Sequence, residues 1–142
     1  MSKLYTMVGL PGAGKSTFAR MHPECVVVSS DAVRAELYGD EAVQGDAHKV
    51  FAVVNERVRK ALAEGKDVIY DATSLTRKLR KGIIKTFDAQ HFAVFMNTSI
   101  ETCIARDAQR SRTVGKDVIM AMAQRMTKPS TDEGFDKIII ME

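Results

Sequence analysis

The sequence has 142 residues, of which 45% are hydrophobic and 27% are charged, a composition that is ordinary for one soluble globular domain. No apolar run approaches the ~20 residues of a membrane span, and residues 1–3 lead directly into a strand pattern without room for a signal peptide, so we expect a cytoplasmic protein. The net charge of +3 is compatible with a polyanionic partner but does not require one.

The first distinctive stretch is a glycine-rich loop between a strand pattern and a helix pattern. Residues 4–8, LYTMV, read as a buried strand, and a helix pattern follows at 17–20. Between them, GLPGAGKS at 9–16 fits G-x-x-x-x-G-K-[ST], the phosphate-binding P-loop. Glycines let backbone amides turn towards a polyphosphate with no Cβ in the way. A chance match in a glycine-bearing turn is the alternative, but strand, loop and helix are the setting that a P-loop requires.

This loop predicts a nucleotide site with ATP and Mg²⁺ as cofactors. Lys15 is expected to reach the β- and γ-phosphates, and the Ser16 hydroxyl is expected to ligate Mg²⁺. The residues of this stretch expected to contact the nucleotide are Gly9, Pro11, Gly12, Ala13, Gly14, Lys15, Ser16 and Thr17.

The next elements alternate between strand and helix. Residues 25–28 are predicted as a short, fully buried strand, and 32–38 as a helix closed by Gly39. A polar loop at 40–45 leads to the clearest helix, 46–64, whose apolar stripe consists of Ala47, Val50, Phe51, Val54, Val58, Ala61 and Leu62.

The rest of the chain continues this alternation. The predicted elements are a strand at 68–70 ending at Asp71, a helix at 76–87 with Leu79, Ile83, Ile84 and Phe87 facing inward, a strand at 92–96, a helix from a capping box at 98–101 to about Arg110, a methionine-rich helix at 117–126 stopped by Pro129, and a strand at 137–141. Such alternation predicts a single α/β domain over residues 1–142. We expect a mostly parallel central sheet of about five strands, helices on both faces and a small arginine-bearing lid.

The cysteines and histidines do not form a recognisable metal-binding pattern. Cys25 and Cys103 lie far apart, and the three histidines, His22, His48 and His91, are scattered. We interpret the cysteines as buried reduced thiols and the histidines as packing or surface residues.

Polar residues follow the predicted strands at one edge of the sheet. The carboxyl ends of parallel strands line the ligand crevice, so the P-loop, Ser30-Asp31 and Asp71 are expected to converge there. Asp71 is predicted to hold Mg²⁺ or its waters beside Ser16. The alternative is a turn residue or helix cap.

Asp31 and Arg34 form a second constellation, because residues three apart share a helix face. A carboxylate in this place can accept a proton from an attacking hydroxyl, while Arg34 stabilises the transferring phosphoryl group. The alternative is an N-cap aspartate with a surface ion pair. The residues alone favour that alternative.

Three arginines precede the methionine-rich helix. Arg106 and Arg110 lie four apart on one predicted helix face, and Arg112 follows in a polar segment. Arginine can stack on adenine and bind phosphate oxygens through its planar fork, which is typical of a lid over ATP. A solvated helix face is the alternative.

Taken together, the motifs GLPGAGKST, SSDAVR, VIYDATS, ARDAQRSR and EGFDKIII resemble those of the 5′-hydroxyl polynucleotide kinases of phage and bacterial end-healing systems, over essentially the whole chain. The resemblance implies that Asp31 is the general base on the 5′-hydroxyl and that Arg34 contacts the scissile phosphate. It implies that Arg110 engages the ATP phosphates from the lid and that Asp71 is the carboxylate of the D-x-[TA]-N element.

The sequence departs from this family at three points. Ser74 stands where the family often has Asn, and Gly115-Lys116 where it often has Pro, which bears on substrate contacts and lid shape. The D-x-D-x-T signature of the bifunctional members is absent, which argues against a 3′-phosphatase activity.

The helix at 76–87 bears on the acceptor. Arg77, Lys78, Arg80, Lys81 and Lys85 occur there without an acidic residue. Such a face could follow a nucleic-acid backbone, and a solvated helix face is the alternative.

The favoured interpretation is an ATP-dependent kinase of the 5′-hydroxyl end of DNA or RNA, with nucleic acid as partner. The same chemistry on a hydroxymethylated pyrimidine in phage DNA, or on a small alcohol, is the second interpretation. A nucleotide-binding regulatory module without transfer activity is the third. Asp31 and Arg34 argue against a module of that kind, which needs no base for an acceptor hydroxyl.

Overall fold

The computed structural model describes residues 1–39, 45–110 and 113–142. Most of the predicted polar loop at 40–45 and the predicted lid residue Arg112 therefore lie outside the described residues. The elements are β1 (Lys3–Val8), α1 (Lys15–Met21), β2 (Val26–Ser29), α2 (Ser30–Tyr38), α3 (Ala47–Ala63), β3 (Val68–Asp71), α4 (Arg77–Thr86), β4 (Gln90–Met96), α5 (Ile100–Ala108), α6 (Lys116–Arg125), a 3₁₀ turn (Thr131–Glu133) and β5 (Lys137–Met141).

The five described strands form one parallel sheet in the order β2-β3-β1-β4-β5. The strands β2 and β3 lie on one side of β1, and β4 and β5 lie on the other. The direction of winding therefore changes at the carboxyl end of β1, which is where open parallel sheets bind ligands. The predicted α/β class with helices on both faces is confirmed.

Two apolar clusters cover the two faces of the sheet. Side chains alternate across a strand, so Leu4 of β1 enters the cluster with α2 and α3, whereas Met7 enters the cluster with α1, α5 and α6. The helix residues that contribute most to these clusters are Val33, Val50, Val54 and Val58 on the first face, and Phe18, Cys103 and Ile119 on the second. Burying each of these larger apolar side chains contributes about 1.5–3 kcal/mol.

Two of the predicted packing patterns need correction. The strand β2 is not fully buried, because it is an edge strand and Val27 is exposed. The stripe of α3 is confirmed except for Ala47, which is exposed in the first turn. That helix begins after Asp46, whose carboxylate accepts hydrogen bonds from the amides of His48 and Lys49.

The inward face of α4 also differs from the prediction. Leu79 is 57% exposed, whereas Arg80 is 0% exposed. Arg80 Nε donates to Glu133 at 2.7 Å, and Arg80 Nη1 donates to the carbonyl oxygens of Ser74, Leu75 and Thr127 at 2.9–3.1 Å. A buried charge needs such full pairing. The helix therefore turns Arg80 inward, and Leu79 faces solvent.

This pairing reduces the basic face predicted on α4. Arg80 is neutralised in the interior, and Arg77 pairs with Asp132 at 3.1 Å. Lys78, Lys81 and Lys85 remain exposed. In the described parts of the chain, no helix is long and apolar enough to cross a membrane.

Replacing Arg80 by Ala is expected to lower the free energy of unfolding by about 3–5 kcal/mol, because it leaves the Glu133 carboxylate buried without its partner. The matched control, Lys81→Ala, removes an exposed cation from the same helix and should change the free energy of unfolding by about 0.5 kcal/mol or less. Urea denaturation of both variants measures the difference. Equal stabilities for the two variants would show that the buried pair has no structural role.

Candidate active site

A cleft of about 780 Å³ opens at the carboxyl edge of the sheet, over the end of β1. It is lined by the loop between β1 and α1, the starts of α1 and α2, the end of β3, and the facing ends of α5 and α6. The sequence-predicted residues that line it are Pro11, Gly12, Gly14, Lys15, Ser16, Thr17, Asp31, Arg34, Asp71, Arg106 and Arg110. Gly9 and Ala13 are buried behind this surface, with Ala13 packed in the second apolar cluster.

The P-loop is shaped by its contact with α5. Gly12 has a φ of 82°, and a Cβ at this position would lie 2.5 Å from the carbonyl oxygen of Cys103. No side chain fits in that space, and the left-handed backbone is itself unfavourable for other residues. The loop therefore rests directly on the backbone of α5.

Three hydrogen bonds fix the loop in this position. The Gly9 amide donates to Thr73 O at 3.2 Å, Thr98 Oγ1 donates to Ala13 O at 2.8 Å, and Arg106 Nη1 donates to Gly12 O at 3.4 Å. The sequence predicted neither threonine. The expected capping box at 98–101 is wrong, because Ser99 caps α5 by accepting from Thr102 N at 3.1 Å. This leaves the Thr98 hydroxyl for the loop.

Lys15 lies among the charged groups of the cleft. Its Nζ donates to Gly9 O at 3.0 Å. Burial lowers the pKa of Lys15, and the carboxylates of Asp71 and Asp31 oppose that effect. Burial raises the pKa of Asp71, which Lys15 offsets and Asp31 reinforces. These opposing effects show that the three predicted residues share one electrostatic environment.

Asp31 and Arg34 form the predicted pair, with 3.0 Å between Asp31 Oδ1 and Arg34 Nη1. Asp31 is not the helix cap, because Ser29 caps α2 by accepting from Ala32 N at 3.2 Å. The Asp31 side chain is 57% exposed and that of Arg34 is 14% exposed. The buried Arg34 Nε has no hydrogen-bond acceptor among the described residues. Both residues line the cleft, and the buried Nε of Arg34 leaves part of its hydrogen-bonding capacity unused.

Asp107 organises the opposite wall of the cleft. Its carboxylate is 2% exposed and accepts hydrogen bonds from the amides of Val114 at 3.0 Å and Gly115 at 2.9 Å. Arg110 Nη1 lies 3.7 Å from the same carboxylate. One side chain thus joins the end of α5 to the start of α6. No sequence pattern indicated this role, because an aspartate four residues before a polar segment is common on helix surfaces.

The α6 side of this wall is apolar. Val114, Val118 and Met122 line the cleft beside Arg106 and Arg110. The methionine-rich character of this helix was predicted, but its contribution to the cleft was not. The α5–α6 end of the cleft can therefore pack a flat ring against its apolar side chains while its two arginines bind negative charge.

Residues 4–129 match a protein family described as an AAA domain, which covers most of the chain and the whole of this cleft. The chain belongs to the AAA domain family. Its fold is that of the P-loop kinases, and the P-loop of this AAA domain is accordingly a nucleotide-binding site.

Solved structures resemble this AAA domain to different degrees. A chain of the Pnkp1/Rnl/Hen1 RNA repair complex is 25% identical, with a TM-score of 0.77 over 87% of this chain and 43% of that one. A gluconokinase from Sinorhizobium meliloti 1021 is 18% identical, with a TM-score of 0.65 over 98% of this chain and 80% of that one. A fungal RNA kinase is 16% identical, with a TM-score of 0.61 over 99% and 74%.

These likenesses carry different weight. The gluconokinase and the fungal RNA kinase, at 18% and 16% identity, show the fold alone. This chain spans less than half the length of the RNA repair protein, 43% of it. The neighbours nevertheless share one fold, that of the P-loop kinases.

Replacing Asp107 by Asn is expected to release the start of α6, because the single amide oxygen cannot replace a carboxylate that accepts from two amides. Hydrogen exchange at the Val114 and Gly115 amides, measured by NMR, should accelerate by about tenfold or more, as expected for losing a hydrogen bond to a charged group. Asp117→Asn, on the exposed first turn of α6, is the control and should leave both rates unchanged. Equal exchange in the two variants would contradict the role of Asp107.

Proposed function

We propose that this protein is an ATP-dependent kinase that transfers the γ-phosphoryl group to the 5′-hydroxyl end of DNA or RNA. The observation that carries the proposal is the Asp31–Arg34 pair, which faces the same cleft as Lys15 while Ser29 caps the helix. The 25% identity to a chain of an RNA repair complex supports a nucleic-acid acceptor.

The residues of the cleft fit a nucleoside triphosphate. At Gly12 the loop lies against the Cys103 backbone of α5, where a Cβ would collide, and this contact holds the loop at the edge of the cleft. Lys15, Arg106 and Arg110 supply positive charge along the same surface. Arginine and lysine are the side chains that bind phosphate oxygens most strongly.

The cleft also contains a donor set suited to Mg²⁺. The Ser16 hydroxyl and the Asp71 carboxylate both line it, and both are hard oxygen ligands. Mg²⁺ usually takes one or two protein ligands and completes its shell with phosphate oxygens and water, so these two residues suffice. When bound, the ion neutralises charge that develops on the phosphate oxygens.

The remaining groups are arranged for transfer to a hydroxyl. The acceptor oxygen forms a bond to the γ-phosphorus as the bond to the β-phosphate oxygen breaks, and ADP leaves. Asp31 takes the proton of the hydroxyl, and its exposure lets the end of a polymer approach. Arg34, held 3.0 Å from Asp31, stabilises the charge on the phosphoryl group in transit.

The test is an incubation of the purified protein with γ-labelled MgATP and four acceptors: 5′-OH DNA, 5′-OH RNA, DNA with hydroxymethylated pyrimidines, and gluconate. Label should appear on a 5′ end. Lys15→Ala should remain folded and lose transfer, because the side chain faces the ligand and supplies the charge on the phosphates. Label that appears only on gluconate, or only on the DNA with hydroxymethylated pyrimidines, would show that this compound is the acceptor in place of a 5′-hydroxyl end. No label anywhere would favour a regulatory module.

Replacing Asp31 by Asn should lower kcat by about 10²–10⁴-fold, the usual contribution of a general base. Stability should stay the same, because Asp31 does not cap α2. The matched control is Ser29→Ala, which removes the cap and should cost about 1 kcal/mol of stability with little kinetic change. Single-turnover rates and melting temperatures of both variants separate the two roles. A near-normal rate for Asp31→Asn would remove Asp31 from the mechanism.

A further inference from the structure

Among the described residues that line the cleft, Phe51 is the only aromatic one. It belongs to the apolar stripe of α3, and part of its ring packs against the core cluster under α2 and α3. The ring is only partly buried, so the remainder faces the cleft. The 17-residue helix α3 and the core cluster beneath it therefore hold the flat face of the Phe51 ring in place at the site.

The ring lies at one particular end of the cleft. The Arg34 guanidinium carbon is 5.9 Å from the Phe51 ring centroid, and Arg34 pairs with Asp31. Arg106, by contrast, reaches from α5 and donates to the P-loop at Gly12 O. Phe51 therefore lies on the same side of the cleft as Asp31, the proposed base, rather than beside the arginines proposed to bind the nucleotide, Arg106 and Arg110.

The two ends of the cleft differ in what they offer to a ligand. The α5–α6 end has two arginines and an aliphatic wall of Val114, Val118 and Met122, which suits the donor nucleotide. The α2–α3 end has the Asp31–Arg34 pair and an aromatic ring. An aromatic ring held in place by a core loses little freedom when a second ring stacks on it.

We propose that Phe51 is the stacking platform for the terminal base of the acceptor strand, beside the 5′-hydroxyl that Asp31 deprotonates. This inference rests on the proposed function and names the part of the acceptor that the site recognises. Every base has a π-face, so such a platform binds nucleic-acid ends without selecting their sequence.

The experiment measures transfer to two oligonucleotides of equal length, one with an ordinary 5′-terminal nucleotide and one with a 5′-terminal abasic residue. Both carry the same 5′-hydroxyl. For the wild-type protein, loss of the base should raise the acceptor KM by about 5- to 150-fold, the contribution of one base–aromatic stack. The kcat should change little, because Asp31 and Arg34 act on the hydroxyl and the phosphoryl group.

Two variants connect this effect to the ring. Phe51→Leu keeps an apolar side chain but loses the flat surface, so it should raise KM for the ordinary oligonucleotide and leave KM for the abasic one unchanged. Phe51→Tyr retains the ring and should behave as the wild type. Leu79→Ala, on the exposed face of α4, is the matched control and should alter neither value.

Each other outcome overturns a specific statement. Equal KM values for both oligonucleotides with the wild-type protein would exclude base stacking, even if Phe51→Leu does not fold. An equal rise for both acceptors in Phe51→Leu would mean that the ring only supports Arg34. Both results leave 5′-hydroxyl transfer itself intact. Failure of the wild-type protein to label either oligonucleotide would instead overturn the proposed function.

Discussion

The contact between Gly12 and the Cys103 carbonyl is the constraint on which the site depends. It brings the P-loop against α5, so that the helix carrying Arg106 and Asp107 borders the loop directly. Asp107 then fixes where α6 begins, and α6 supplies the apolar wall of the cleft. A single close approach of two backbones thus sets where the α5–α6 wall stands beside the P-loop.

At the starts of α2 and α5, one serine caps the helix, and the polar residues next to it contact other groups of the site. Ser29 caps α2, which leaves the next two residues, Ser30 and Asp31, available to Arg34. Ser99 caps α5, which leaves Thr98 to hold the P-loop. In each case the cap is satisfied by one side chain and the polar group beside it can serve the cleft. The positions of the caps therefore decide which polar groups are available for chemistry.

Features with local causes could be predicted from the sequence. The P-loop spacing, the α3 stripe and the carboxylate at the end of β3 each follow from residues close together in the chain. Features with distant causes could not be predicted. Arg80 turns inward because of Glu133, 53 residues later, and Val27 is exposed because β2 lies at the sheet edge. Phe51 was recognised as an apolar stripe residue, but only the packing of α2 beside α3 places it next to Arg34.

The cluster around Arg80 has a consequence for the order in which the chain is completed during synthesis. Its carboxylate partner, Glu133, and its carbonyl partner, Thr127, leave the ribosome 53 and 47 residues after it. Until they emerge, Arg80 has no buried counter-charge, and placing it in the interior is unfavourable. The nascent chain must therefore keep α4 rotated or undocked, even with the P-loop and four strands already made. The final burial of α4 waits for the segment that carries Thr127 and Glu133.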